Sequence, residues 1–206
     1  TIKAPKFCKK YIGQSSPYPC ANNTLSVTLS VTSGLTANVS KITLSGFYGG
    51  SAPTGTIRLS DMSSGQNHHL FFAESTAGEA GYGYWDDDTK NLTLQVVRRM
   101  ECSVDYMFSF DLVNKNDMND PPSIQVSAHG LHLYYPDSSI PAQQMIPDEV
   151  RRPVSRSSPG DAAPLKIWDP VFDIRTIVQS SSVPCDMNTI SVSLQSSVPL
   201  LVACSP

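Results

Sequence analysis

Leu25, Val27, Leu29 and Val31 alternate with Ser26, Thr28, Ser30 and Thr32. That period of two gives one apolar and one hydroxyl-bearing face, as expected of a strand. Ile42 and Leu44 follow, closed by Gly46 and Gly49-Gly50, and Ile57 and Leu59 make another short run. His69-Leu-Phe-Phe72 is a further strand candidate. Tyr82, Tyr84 and Trp85 lead into Asp86-Asp-Asp-Thr-Lys-Asn91, read as a polar turn, and Leu92, Leu94 and Val96 alternate beyond it. Tyr106, Phe108, Phe110 and Leu112 make the clearest strand, with Met107, Ser109 and Asp111 on the opposite face. Ile124, Val126 and Ala128 come next, then Leu131, Leu133 and Tyr135. Eight or nine strands at a spacing of roughly 10–15 residues, with no competing 3.6-residue periodicity, predict an antiparallel β-sandwich.

The pattern changes after Tyr135. Pro136, Pro141, Pro147, Pro153, Pro159 and Pro164 recur among Ser, Asp and Arg. Proline lacks the N–H that a central strand must donate, so residues 136–165 are expected to be an extended connector.

An internal repeat organises the rest. Phe7…Ile12-Gly-Gln14-Ser-Ser-Pro-Tyr-Pro-Cys20 matches Phe172…Ile177-Val-Gln179-Ser-Ser-Ser-Val-Pro-Cys185 at a constant offset of 165 residues. The register continues through Asn23-Thr-Leu-Ser-Val-Thr-Leu29 and Asn188-Thr-Ile-Ser-Val-Ser-Leu194 without a gap. A period this long is a domain repeat rather than a solenoid step. The expected organisation is an N-terminal strand or connector over 1–19, a sandwich over 20–135, a Pro-rich linker over 136–165, and the first 41 residues of a second repeat over 166–206. One or two strands make no complete sheet, so the last segment is expected to serve as edge or donor strand, on its own unit or on a neighbour's.

Composition narrows the setting. Ser and Thr occupy 42 positions and Pro 16, while charged residues are 16% of the chain, against about 25% in an average soluble domain. A net charge of −3 supplies no phosphate-neutralising surface, which argues against nucleic acid or an anionic membrane as partner. No apolar run approaches the roughly 18 residues needed to span a bilayer. A start at Thr1 is what a processed, exported chain would show. The five cysteines, Cys8, Cys20, Cys102, Cys185 and Cys204, contain no CxxC. Wide spacing in a hydroxyl-rich chain reads as disulfides formed in an oxidising compartment, with one cysteine left over. If Cys185 repeats Cys20, then Cys20 pairs within its own unit, and Cys102 is the nearest candidate. That bridge would close 83 residues, worth about 4–5 kcal/mol in the chain-entropy account. Cys8 and Cys204 have no cysteine at the repeat offset and would pair with each other or across units. Asn22, Asn38 and Asn91 each begin an N-x-[ST] acceptor triplet for N-glycosylation.

The motifs Asn23-Thr-Leu-Ser-Val-Thr-Leu29, Ile42-Thr-Leu-Ser-Gly46-Phe-Tyr-Gly49, Trp85-Asp…Thr89…Leu92-Thr-Leu, Tyr106-Met-Phe-Ser-Phe-Asp-Leu-Val-Asn114 and Pro122-Ser-Ile-Gln-Val-Ser together resemble a known unit. They are similar to the tandem Ig-like repeats of very large secreted surface and filament glycoproteins of algae and other protists, including mastigoneme-type fibres. The resemblance spans about residues 20–128. It implies an all-β, antiparallel Ig-like sandwich, decorated with glycans and arranged in an extracellular fibre or coat.

Chemical motifs are sparse. GxSxG, HExxH, Walker A and GxGxxG are all absent, so no enzymatic activity is expected and no cofactor beyond covalent glycans. On strands, His68-His69 and His129/His132 would each point to opposite faces, poor geometry for chelation. Asp86, Asp87 and Asp88 lack the ligand spacing of an EF-hand. Cys102 with His129 has no nucleophile context, and Glu74, Glu79 and Glu101 no pairing as glycosidase acids. Arg151, Arg152 and Arg156 read as a solvated linker cluster. Tyr48, Tyr82, Tyr84 and Trp85 support an alternative, because flat aromatic faces can stack on sugars, with Tyr82, Tyr84 and Trp85 the chief candidates; against it, Trp85 at a strand end also suits a sandwich core. The sequence thus points to a secreted structural unit of a cell surface or appendage. It would associate with itself and carry glycans; the alternative is a glycan-binding adhesion module.

Overall fold

The Leu25–Val31 alternation becomes the heart of a sheet. In a computed structural model, residues 4–131, 138–148 and 163–200 are described. Among them the strands in chain order are β1 (Phe7–Gln14), β2 (Asn22–Val31), β3 (Lys41–Ser45), β4 (Gly50–Ser51), β5 (Gly55–Arg58), β6 (Ser60–Asp61), β7 (Phe72–Ala73) and β8 (Tyr82–Asp86). There follow β9 (Asn91–Val96), β10 (Tyr106–Asn114), β11 (Gln125–His129), β12 (Ser139–Gln144), β13 (Ile146–Pro147), β14 (Phe172–Gln179) and β15 (Ile190–Ser196). The described residues are all-β, with one 3₁₀ turn among them over His68–Phe71 where a strand was expected.

One sheet runs β13-β1-β2-β10-β4, with β6 also on β10, and a second runs β12-β11-β3-β9-β8-β5, with β7 also on β9. The neighbours are antiparallel except β1 and β13, which run parallel. Inward-facing side chains meet across the two layers: Phe72 of β7 lies 5.0 Å from Phe108 of β10, and Phe47 contacts both Phe110 and Trp85 edge-on. Leu25, Val27, Leu29, Ile42, Leu44, Leu92, Leu94 and Val126 are all fully buried here. Each stabilises the fold by roughly 1.5–3 kcal/mol through burial. The arrangement is consistent with a β-sandwich. The serine face of β2 is not solvated as its alternation implied, since Ser26 and Ser30 are also buried.

The proline-rich segment is only partly a connector. Ser139–Gln144 forms β12 on the edge of the second sheet, with Pro141 inside it, and Ile146–Pro147 lies on the edge of the first. Prolines are admitted there because an edge strand has one row of N–H groups with no strand partner. Leu133, Tyr135, Pro136, Pro153 and Pro159 lie outside the described residues.

Residues 172–196 form a separate two-stranded sheet, β14 with β15. Phe172, Arg175, Ile177 and Gln179 lie opposite Ser196, Leu194, Val192 and Ile190. In the first hairpin, Phe7, Lys10, Ile12 and Gln14 lie opposite Val31, Leu29, Val27 and Leu25. Every pair is displaced by the same 165 residues, and both ladders carry their irregularity at the same place, Phe7/Lys9 and Phe172/Ile174.

Candidate assembly site

Three buried amides close the end of the first sheet. Gln14 ends β1, Asn23 is the second residue of β2 and Asn114 ends β10; antiparallel pairing brings all three to one end of the sheet. Asn23 Nδ2 donates to Gln14 Oε1 at 3.0 Å and to Asn114 Oδ1 at 2.8 Å. Asn23 Oδ1 accepts from the N–H groups of Ser15 and Ser16, and Asn114 Nδ2 donates to the carbonyls of Ser16 and Tyr18. The loop from Ser15 to Cys20 is thereby moulded by side chains, since its own backbone has no ladder to join.

The same cluster receives the returning chain. Gln14 Oε1 accepts from the Leu165 N–H at 2.7 Å, and its Nε2 donates to the Lys166 carbonyl at 3.0 Å. Asn119 Nδ2 donates to the carbonyls of Leu165 and Tyr48, and Asn119 exchanges backbone bonds with Ile167. Trp168 N–H donates to Pro17 O, and its ring meets Tyr18 edge-on at 5.5 Å. Leu165 is fully buried against Gly50. At Gly49, where φ is +114°, a Cβ would collide with the Asn119 side chain, so glycine is what admits this clasp.

The second hairpin copies half of this site. Asn188 Oδ1 accepts from Ser180 and Ser181 N–H, Asn188 Nδ2 donates to Gln179 Oε1, and Thr189 N–H donates to Ser180 Oγ, matching Asn23, Gln14 and Ser15. Cys20 and Cys185 share a left-handed backbone, φ 59° and 69°. The surroundings differ. Phe7, Ile12, Leu25, Val27 and Leu29 are at most 2% exposed, whereas Phe172, Ile177, Ile190, Val192 and Leu194 are 43–70% exposed. Sequence reasoning found the repeat but missed the clasp. Its available signal was Ile2 and Pro5 against Ile167 and Pro170, which also obey the offset of 165.

The expected Cys20–Cys102 bridge is not formed. Cys20 is disulfide-bonded, but Cys8, Cys102 and Cys185 are exposed free thiols. Cys20 sits at the Asn22 end of β2, while Ser103, next to Cys102, bonds Val31 at the other end. A ten-residue strand separates those ends by about 30 Å, far beyond the roughly 7 Å between Cα atoms that a disulfide tolerates. Cys8 instead lies 3.4 Å from Ser30 Oγ, so it is not bridged to Cys204, which lies outside the described residues.

The aromatic candidates separate. Trp85 is fully buried, and its indole N–H donates to Ala52 O and Asp87 Oδ1, so its ring faces are withdrawn from any sugar. Tyr84 points the other way and is exposed, Tyr82 is half-buried beside it, and Tyr48 is exposed on another loop. Asn22 and Asn38 are exposed, and Asn91 is half-buried at the β8–β9 turn.

Polar residues elsewhere have local duties. Asp86 caps the turn through Asp88 and Thr89 N–H. Burial pushes the Asp87 carboxyl up, but hydrogen bonds from Lys90, Trp85, Ser51 and Ala52 outweigh it and hold the group below the usual range. An open cleft of about 720 Å³ beside it is lined by Asp88 and Asn116. Asp61 is held far below its ordinary value by Ser63 and the Gly65 N–H. His68 is buried, which lowers its pKa, and its Nδ1 accepts from Met107 N–H. Glu74 accepts from Thr56 Oγ1, and Glu101 pairs with Arg99 at 3.2 Å. Among the described residues no three of His, Cys, Asp and Glu could hold one metal ion. His132 and Arg151, Arg152 and Arg156 lie outside them. Comparison with known protein families and with curated proteins finds no match.

Proposed function

We propose that this chain is a structural repeat unit of an extracellular, glycosylated fibre or surface coat. In this reading residues 4–131 and 138–148 belong to an Ig-like sandwich, and residues 166–206 begin a second repeat. The observation that carries it is the second hairpin, which keeps the register of the first yet exposes the apolar side chains that the first buries. Exposed apolar surface of that kind marks a face meant to be covered. The clasp at Leu165–Trp168 supports tandem continuity, because it anchors one unit where the next begins. Low charge and abundant hydroxyls suit packing faces and glycans at Asn22, Asn38 and Asn91, and the resemblance to protist filament repeats points the same way.

Electron microscopy of material from the native host tests the reading. Fibres that vanish on deletion of residues 166–206 but survive Tyr84→Ala are the expected result; a monomeric, glycan-free native protein would reject it. Exposed Tyr84, with Tyr82 at its side, supports the second reading, a glycan-binding adhesion module. Glycan-array binding lost in Tyr84→Ala would favour that alternative.

A further inference from the structure

Among the described residues, β15 pairs with β14 and with no other strand, so its outer edge is bare. The equivalent edge of β2 shows what such an edge takes. There Leu25, Val27 and Leu29 lie opposite Phe110, Phe108 and Tyr106 of β10. Beyond that ladder Asn114 binds the Ser16 and Tyr18 carbonyls and Asn23 Nδ2, the Asn114 N–H donates to Ala21 O, and Lys115 O accepts from Cys20 N–H. At the offset of 165 those groups are the carbonyls of Ser181, Val183 and Asp186, the amide of Asn188, and the N–H of Cys185. The loop that presents them already has the required shape, because Val183 N–H donates to Ser181 Oγ and Asp186 N–H to Val183 O, as Tyr18 and Ala21 do in the first copy.

We propose that the outer edge of β15 is an acceptor site for one antiparallel strand of the β10 pattern, supplied by a further unit of the same repeat. The incoming strand has aromatic or apolar residues at alternate positions and a terminal asparagine. It runs along Leu194 to Met187, as Tyr106 to Val113 runs along Leu29 to Asn22. Its asparagine closes the Ser180–Cys185 loop, reaching the two carbonyls and the Asn188 amide. A second folded copy of this chain is the wrong source, since its β10 is already held by β2 on one side and by β4 and β6 on the other. The proposal rests on reading residues 166–206 as the start of a repeat.

The test titrates the full chain into a fluorescently labelled peptide of residues 104–116 and follows polarisation. Saturable binding with a dissociation constant of about 1–100 μM is expected, in the range of single-strand addition. Asn114→Ala in the peptide, or Asn188→Ala in the chain, should weaken it tenfold or more. Val192→Asp should abolish it, while far-UV circular dichroism and melting of the main sandwich stay unchanged. Equal binding by a scrambled peptide, or undiminished binding to Val192→Asp, overturns the proposal. Sedimentation that shows hairpin-to-hairpin dimers taking up no peptide overturns it too. Native fibres with no peptide binding would keep the fibre reading and reject the acceptor site; peptide binding by a protein that never forms fibres would do the reverse.

Discussion

Asn23 and Asn114, 91 residues apart in sequence, share a 2.8 Å hydrogen bond between two side chains buried from solvent. Neither amide could be left alone there, because an unsatisfied buried polar group costs about 1–3 kcal/mol. Asn114→Ala would take an acceptor from Asn23 Nδ2 and the Asn114 donor from the carbonyls of Ser16 and Tyr18. We expect a loss of about 2–4 kcal/mol in urea unfolding. Asn188→Ala, at the equivalent but exposed position, should stay within about 0.5 kcal/mol.

Gln14→Ala removes both side-chain bonds to the returning segment. Leu165 N–H would then be buried without an acceptor. Limited proteolysis should cut more readily near residues 163–170, with a stability loss of about 1–3 kcal/mol.

His68 sets a pH dependence on the acid side of neutrality. Burial depresses its folded pKa below the ordinary value of 6.5, so the unfolded chain binds the proton first. The stability it contributes is therefore complete above about pH 6.5 and is lost as pH falls toward the folded value. Protonation also forfeits the bond from Met107 N–H, which needs Nδ1 as acceptor. Melting temperature should drop between pH 6.5 and 5, and the drop should flatten in His68→Gln.

Asp61 acts lower. Its folded pKa is depressed by Ser63 and neighbouring N–H groups, so its contribution is present above about pH 4 and is lost as pH falls below. Asp61→Ala should loosen the Met62–Asn67 loop, read as faster amide exchange at Gly65 and His68, and should shallow the melting curve's decline below pH 4.

Trp85 and Tyr84 are neighbours with opposite fates. Trp85→Ala should cost about 3–5 kcal/mol by opening a cavity beside Phe47. Tyr84→Ala should leave the melting temperature within a degree or two. Thermal unfolding of the two variants checks both.

The alternation at Leu25–Val31, Leu92–Val96 and Tyr106–Leu112 was enough to place β2, β9 and β10, because successive side chains of a strand point to opposite faces, although β2 buries residues on both of them. The offset between Phe7 and Phe172 likewise located the second hairpin and even its register. Other features were not legible for physical reasons. Ile140 and Pro141 belong to an edge strand, where proline's missing N–H carries little cost, so proline content concealed β12. His68–Phe71 is too short to show a period, and with only His68 of its four residues buried its pattern does not separate a 3₁₀ turn from a short strand. Gln14, Asn23 and Asn114 were visible as residues of the repeat or its motifs. Their joint role needed the antiparallel registers of β1–β2 and β2–β10 to bring them to one end of the sheet. Cys20 and Cys102 looked like neighbours only until β2 was seen to hold them at opposite ends.

Gln14 has a mechanical consequence. The chain enters through β1 and leaves through Leu165–Trp168, and the Gln14 amide, backed by the Trp168–Pro17 bond, ties entry to exit. Tension applied along the polypeptide would cross from Gln14 to Leu165 without travelling through β2–β12. The sandwich then hangs from a continuous cord as a closed side loop, sheltered from the load until that knot gives way.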